Sequence, residues 1–194
     1  LSSDNIMPAP DFRTGRRYVR SKKNINCRHG TFCFKFSCMR IFIVDMDAHR
    51  IRGTATYDLR RRGGDSVVFD TDGLEIEGVT LGDGSEAKFT LGEQSFLGRP
   101  LSIALPEGAD RVAITYSTGA DAKALQWLTA AQTADKKHPF LFTQGEAILT
   151  RTWIPIQDSP GIRITYDAHV TVPAELMAVM SATNPQELSG DGSY

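Results

Sequence analysis

Arg50-Ile-Arg-Gly-Thr-Ala-Thr-Tyr-Asp-Leu-Arg60 is the stretch that decides the fold class. On an extended backbone Ile51, Gly53, Ala55, Tyr57 and Leu59 share one face, and Arg52, Thr54, Thr56 and Asp58 share the other. That period of two predicts a half-buried strand with one wet face. Just upstream, Arg40 to Asp47 is more apolar, with Ile41, Ile43 and Asp45 opposite Phe42, Val44 and Met46. Apolar residues on both faces predict a strand covered on two sides.

Working outward, short β-prone runs recur between turn residues at intervals of roughly 8 to 12 residues, which is the pattern of an all-β domain. After the polar Arg60 to Asp65 turn, strands are expected over Ser66 to Asp70 and Gly73 to Leu81, with Leu74, Ile76 and Val79 inward. Gly82-Asp-Gly-Ser85 is a hairpin signal, because Asp and Gly tolerate positive φ, and Ala87 to Gly92 returns from it. Pro100 to Leu105 and Arg111 to Thr118 read as a pair joined by Pro106 to Asp110. Ile148 to Ile154 and Ile162 to Val172 read as antiparallel strands around Gln157 to Gly161, and Glu175 to Ala182 as a last strand. The fold class is therefore all-β and mostly antiparallel. Residues 40–182 form the β domain, 1–39 a basic N-terminal arm, and 183–194, rich in Pro, Gly, Ser and acids, a linker or tail.

With 194 residues, 41% of them hydrophobic and 23% charged, the chain can bury a core, and its net charge of -1 gives no overall pull toward nucleic acid or membrane. The charge is nevertheless uneven. No acid occurs from Phe12 to Val44, where Arg13, Arg16, Arg17, Arg20, Lys22, Lys23, Arg28, Lys35 and Arg40 are all basic. Nucleic-acid binding by this arm is disfavoured, because the aromatics are not regularly interleaved and no recognition fold is visible. Solvated tail, linker, processing segment and residues foreign to the domain are the other readings. Cys27, Cys33 and Cys38 all fall in the arm, and their odd number argues against a disulfide framework. This favours a reducing, cytoplasmic compartment without assigning one. With His29 they offer soft ligands, but at spacings that match no common zinc module. No apolar run approaches the roughly 20 residues that a membrane helix needs.

The chemistry gathers at Gln144-Gly145-Glu146-Ala147. On an extended segment Gln144 and Glu146 point the same way, while Gly145 permits close approach of another backbone. Such a carboxylate suits a ligand ammonium through a charge-assisted hydrogen bond; a solvated strand glutamate is the bland alternative. Around it stand Arg50 to Thr56, Ala124-Leu-Gln-Trp-Leu-Thr129, His138-Pro-Phe-Leu-Phe-Thr-Gln-Gly-Glu-Ala147, Ile154-Pro-Ile-Gln-Asp-Ser-Pro160 and Val172 to Ala182. In order and spacing these blocks resemble the amino-terminal domain of zinc aminopeptidases, in the branch of leukotriene hydrolase and its bacterial aminopeptidase relatives.

The resemblance implies a curved, saddle-like β-sandwich that leans on a separate catalytic metallopeptidase domain, in the same or another chain, and closes one side of its cleft. It implies that Glu146 binds the α-amino group of a peptide, that Gln144 lines the pocket for the first side chain, and that the parent reaction removes amino-terminal residues. The epoxide-opening branch carries an amide at the position of Glu146, so the acid here looks more like aminopeptidase. The family often has Cys at the positions of Gly145 and Ile156, a change that looks tolerable. It uses Asp121 to Thr133 as a crossing loop, with at most a turn or two of helix expected.

The His-Glu-x-x-His helix that holds the family's zinc is absent: none of His29, His49, His138 and His169 is followed by Glu or paired at four residues. No cofactor is expected in this chain, the zinc belonging to the catalytic domain that would begin near Tyr194, and no hydrolysis is expected from the chain alone. A stand-alone β module that binds a peptide or protein partner is the alternative. Trp127 and Phe140 are read as buried anchors of the crossing loop, His138 as a solvated turn residue, and Arg151 and Asp158 as a structural pair.

Overall fold

The computed structural model describes residues 14–21, 37–60, 64–162 and 164–184. Its strands are β1 (Thr14–Ser21), β2 (Ser37–Asp45), β3 (Arg50–Asp58), β4 (Ser66–Thr71), β5 (Leu74–Leu81), β6 (Phe89–Leu91), β7 (Arg99–Ala104), β8 (Arg111–Thr118), β9 (Leu125–Leu128), β10 (Phe140–Thr143) and β11 (Thr165–Pro173). Among the described residues, helix is confined to 3-10 turns at Ala130–Gln132 and Thr150–Thr152. A six-stranded sheet runs β1-β11-β2-β3-β8-β5, a three-stranded sheet β4-β7-β6, and a ribbon pairs β10 with β9. Every pairing is antiparallel except β11 with β2, and the sheets do not close into a barrel.

β3 lies inside the large sheet and shows the expected alternation, with Ile51, Ala55 and Tyr57 buried and Arg52 exposed. On β2, Phe42 and Val44 are buried, but Ile43 is half-buried and Asp45 exposed, so only one face is fully covered rather than two. On β5, Leu74 and Val79 are buried and Ile76 half-buried, although 76 and 79 differ in parity. A bulge between Ile76 and Gly78 inserts the residue that brings them to one side. Gly84 at φ 85 closes the hairpin after β5, where the Leu81 N–H donates to the Ser85 carbonyl. Val67 and Phe69 of β4 and Leu101 and Ile103 of β7 cover the core from the smaller sheet. The Tyr57 and Phe69 rings, 4.7 Å apart, join the two layers.

Four expectations fail for identifiable reasons. β7 and β8 do not pair: both sides of β8 are occupied, by β3 and β5, so β7 joins β4 and β6 in the other layer. Ile148 to Ile154 is not a strand. Its backbone turns through bonds from Thr152 N–H to Leu149 O and from Ile154 N–H to Thr150 O, and the Thr152 hydroxyl back-bonds to Leu149 O, which competes with a sheet ladder. Strand β11 therefore has no hairpin partner there and takes β1 and β2 instead. Glu175 to Ala182 also forms no strand, because the chain turns at Pro173, whose carbonyl accepts the Leu176 N–H. The Asn184 side chain then bonds the N–H and C=O of Met180, filling the place of a ladder.

The backbone of residues 14–21, within the basic arm, pairs with β11. Cys27, Cys33 and His29, the arm outside residues 14–21 and 37–39, and residues 185–194 of the tail lie outside the described residues, as does the side chain of Cys38. Among the described residues no helix is long and apolar enough to cross a membrane.

Candidate functional site

The crossing segment forms the β9–β10 ribbon followed by a braced turn. Gln144 is joined to the ribbon by its N–H, which donates to Ala124 O at 2.9 Å. Glu146 stands in a turn, not on an extended strand: the Leu149 N–H donates to Gly145 O at 2.9 Å, and the Glu146–Ala147 peptide is cis. The Gln144 side chain folds onto this turn, its Oε1 accepting the Glu146 N–H at 3.0 Å. Thus the strand alternation invoked for Gln144 and Glu146 does not apply, although a hydrogen bond couples the two residues directly. Both side chains are exposed, and among the described residues the Glu146 carboxylate has no hydrogen bond or ion pair. Gly145 is needed for a side chain rather than for another backbone, since a Cβ there would overlap the Thr150 hydroxyl.

The loop beyond is fixed by Arg151, only 7% exposed at its side chain. Its Nε donates to Asp158 Oδ2 at 3.3 Å, its Nη2 to Asp158 O at 2.9 Å and its Nη1 to Leu97 O at 2.8 Å. The Asp158 N–H donates to Asp70 Oδ2, and Asp70 and Ile156 exchange both backbone bonds, which adds this segment to the edge of β4. The structural reading of Arg151 and Asp158 agrees with this geometry. The buried Tyr57 hydroxyl donates to Pro155 O and holds the same loop to β3.

Thr143 and Thr150, on either side of the Glu146 turn, line a groove of about 530 Å³ whose walls are largely apolar: Val44, Phe140, Phe142, Ile154, Met177 and Val179 among others. Phe140, Phe142, Met177 and Val179 are each 42 to 54% exposed. Phe140 is therefore not a buried anchor. Alternation along β10 sends Leu141 into the core and stacks Phe140 beside Phe142 on the groove side, with ring centroids 6.2 Å apart. Trp127 is half-buried and stacks on His49 at 5.1 Å. His138 is half-buried, and its carbonyl accepts the Thr133 hydroxyl.

Sequence reasoning did not single out Thr150, Thr152 or the groove. The Thr-Arg-Thr triplet was a usable signal, since small hydroxyls beside a strand-breaking arginine favour local side-chain bonding. Among the described residues no three His, Cys, Asp or Glu side chains gather closely enough to hold a metal ion. Those residues do not fit a catalytic zinc.

A 130-residue stretch is 45% identical to leukotriene A-4 hydrolase of Xenopus laevis, covering 64% of this chain and 21% of that protein. A 158-residue stretch is 34% identical to leucine aminopeptidase 2 of Pyricularia oryzae, covering 77% and 26%. The solved structure of yeast LTA4 hydrolase in complex with bestatin superposes with a TM-score of 0.66 at 29% identity, over 72% of this chain and 23% of that one. An M1 zinc metallopeptidase from Deinococcus radiodurans shares the fold, with a TM-score of 0.55 at 16% identity over 75% of this chain and 33% of that one. The chain thus spans about a fifth to a quarter of the curated relatives it matches. Residues 41–192 match the sequence profile of the peptidase M1 N-terminal domain, and the chain belongs to that family.

Proposed function

We propose that this domain flanks the substrate cleft of a zinc aminopeptidase and presents Glu146 and Gln144 to the amino end of a peptide, in a protein that removes N-terminal residues. One observation carries the reading: an unpaired, exposed carboxylate sits on a hydrogen-bonded turn beside a large groove. A peptide ammonium can approach that carboxylate without first breaking an internal ion pair. The neighbouring Gln144 Nε2, which has no hydrogen bond among the described residues, remains available as a donor.

The groove is the surface on which a catalytic metallopeptidase domain docks. Four half-exposed apolar side chains gathered in one place are what a domain interface leaves behind when it is opened. The matched stretches make up only 21% and 26% of the relatives, and the remainder of such a protein supplies the occupant. Hydrolysis is the work of that second domain. The 194-residue chain, purified and loaded with zinc, is expected to release no amino acid from an aminoacyl anilide; zinc-dependent release would overturn the division of labour. A stand-alone module that binds a peptide or protein through the same groove is the second reading, favoured by the groove's apolar walls. Recovery of the groove in contact with a zinc domain, or with a partner that lacks one, separates the two.

A further inference from the structure

A turn can grip a small ligand well only if its backbone is fixed beforehand, because ordering it on binding subtracts from affinity. The turn that carries Glu146 has no sheet ladder of its own. On the entry side Gln144 donates to Ala124 O, and on the exit side Leu149 donates to Gly145 O. Between these two ends lies the Thr152 side chain, in a residue only 2% exposed. Its hydroxyl donates to Leu149 O at 2.7 Å and accepts the buried Ala124 N–H at 3.0 Å. One hydroxyl therefore ties the backbone that receives Gln144 to the backbone that closes the turn.

We propose that Thr152 is the positioning residue of the amine-gripping turn, holding Gln144 and Glu146 in place by fastening Leu149 to Ala124. This rests on the reading of Glu146 as an amine acceptor. The role needs an oxygen that both donates and accepts. Valine would fill the same space but leave the Ala124 N–H buried without an acceptor and Leu149 O short of a donor, whereas serine keeps both bonds. Arg151 secures the adjacent position through separate partners, Leu97 O and Asp158, so a change confined to Thr152 loosens the turn without freeing the whole loop.

The test compares the 194-residue chain with its Thr152→Val and Thr152→Ser variants by amide hydrogen exchange and by titration with leucine amide. In Thr152→Val the Ala124, Gln144 and Leu149 amides should exchange about tenfold faster or more, while core amides of β3 and β8 keep their rates. Leucine amide should bind several-fold more weakly, and Thr152→Ser should restore both properties. The proposal is overturned if Leu149 exchanges unchanged in Thr152→Val, if all amides accelerate together, or if serine fails to rescue. A wild-type chain in which leucine amide moves no resonance of residues 143–150 overturns the amine-binding reading alone; the exchange comparison still decides whether Thr152 fixes the turn.

Discussion

Replacing Arg151 with methionine should destabilise the domain far more than removing any of its exposed cations. Methionine fills much of the volume, so the loss is that of the polar partners. These are the bond to Asp158 Oδ2 at 3.3 Å, those to Asp158 O at 2.9 Å and Leu97 O at 2.8 Å, and a weaker approach to Asp70 Oδ2 at 3.6 Å. The side chains of Arg151 and Asp158 are 7% and 10% exposed, so little water can replace what is lost. Removing one partner of a buried pair costs ~3–5 kcal/mol. The lower end applies here, since Asp158 Oδ2 still accepts the backbone N–H of residue 151 at 3.1 Å and the Asp70 carboxylate is 37% exposed. A loss of about 3 kcal/mol lowers Tm by roughly 6–12 °C in a chain of this size. With a urea dependence of about 2 kcal/mol per molar, it moves the unfolding midpoint by ~1.5 M. The assay is urea and thermal unfolding of wild type, Arg151→Met, Asp158→Asn and the double variant. The double variant should cost less than the sum of the singles, by about 1–3 kcal/mol. Lys123→Met is the control: Lys123 meets Asp72 at 2.8 Å but is 63% exposed, and its midpoint should not move measurably. An Arg151→Met midpoint as close to wild type as that of Lys123→Met would refute the reasoning.

Tyr57→Phe leaves Pro155 O without its buried donor and should cost ~1–3 kcal/mol in the same unfolding assay; a change within error would show that the bond does not hold the loop. Gly145→Ala should destabilise by its overlap with the Thr150 hydroxyl, and Thr150→Ala should relieve most of that cost, a non-additivity read from the two singles and the double. Burial holds the His169 imidazole below its ordinary value of 6.5, with Asp167 opposing the shift. The unfolded chain therefore takes up this proton first as pH falls, so His169's contribution is intact above pH 6.5 and is lost as pH drops from there through the lower folded value. His169→Gln should flatten stability across that window, and a variant with the wild-type slope would contradict it.

The alternation from Ile51 to Leu59 was legible because burial on one face leaves a period of two in the residues themselves. Val112, Ile114 and Tyr116 on β8 carry the same period of two and are likewise buried. Pairing was less legible. Nothing in Pro100 to Leu105 shows that both sides of β8 are already taken, and the bulge that lets Leu74 and Val79 share a face is a property of the ladder, not of composition. The strand-like Ile148 to Ile154 misled for a local reason: Thr152 and Arg151 satisfy their polar atoms through turns and loop carbonyls, and that outweighs β propensity. At the candidate site, Gln144 and Glu146 were visible from the sequence pattern, but the Gln144 Oε1 bond that joins them and the two hydrogen bonds of the Thr152 hydroxyl depend on contacts across residues 124–152.

The most direct measurement compares leucine amide with N-acetyl-leucine amide as titrants of the isotope-labelled chain, following the backbone amides of residues 143–150 in wild type and Glu146→Gln. The account predicts shifts centred on Glu146 with the free amine, none with the acetylated compound, and loss of the response in Glu146→Gln while the fold is unchanged. Equal shifts with the two compounds, or an undiminished response in Glu146→Gln, would contradict it.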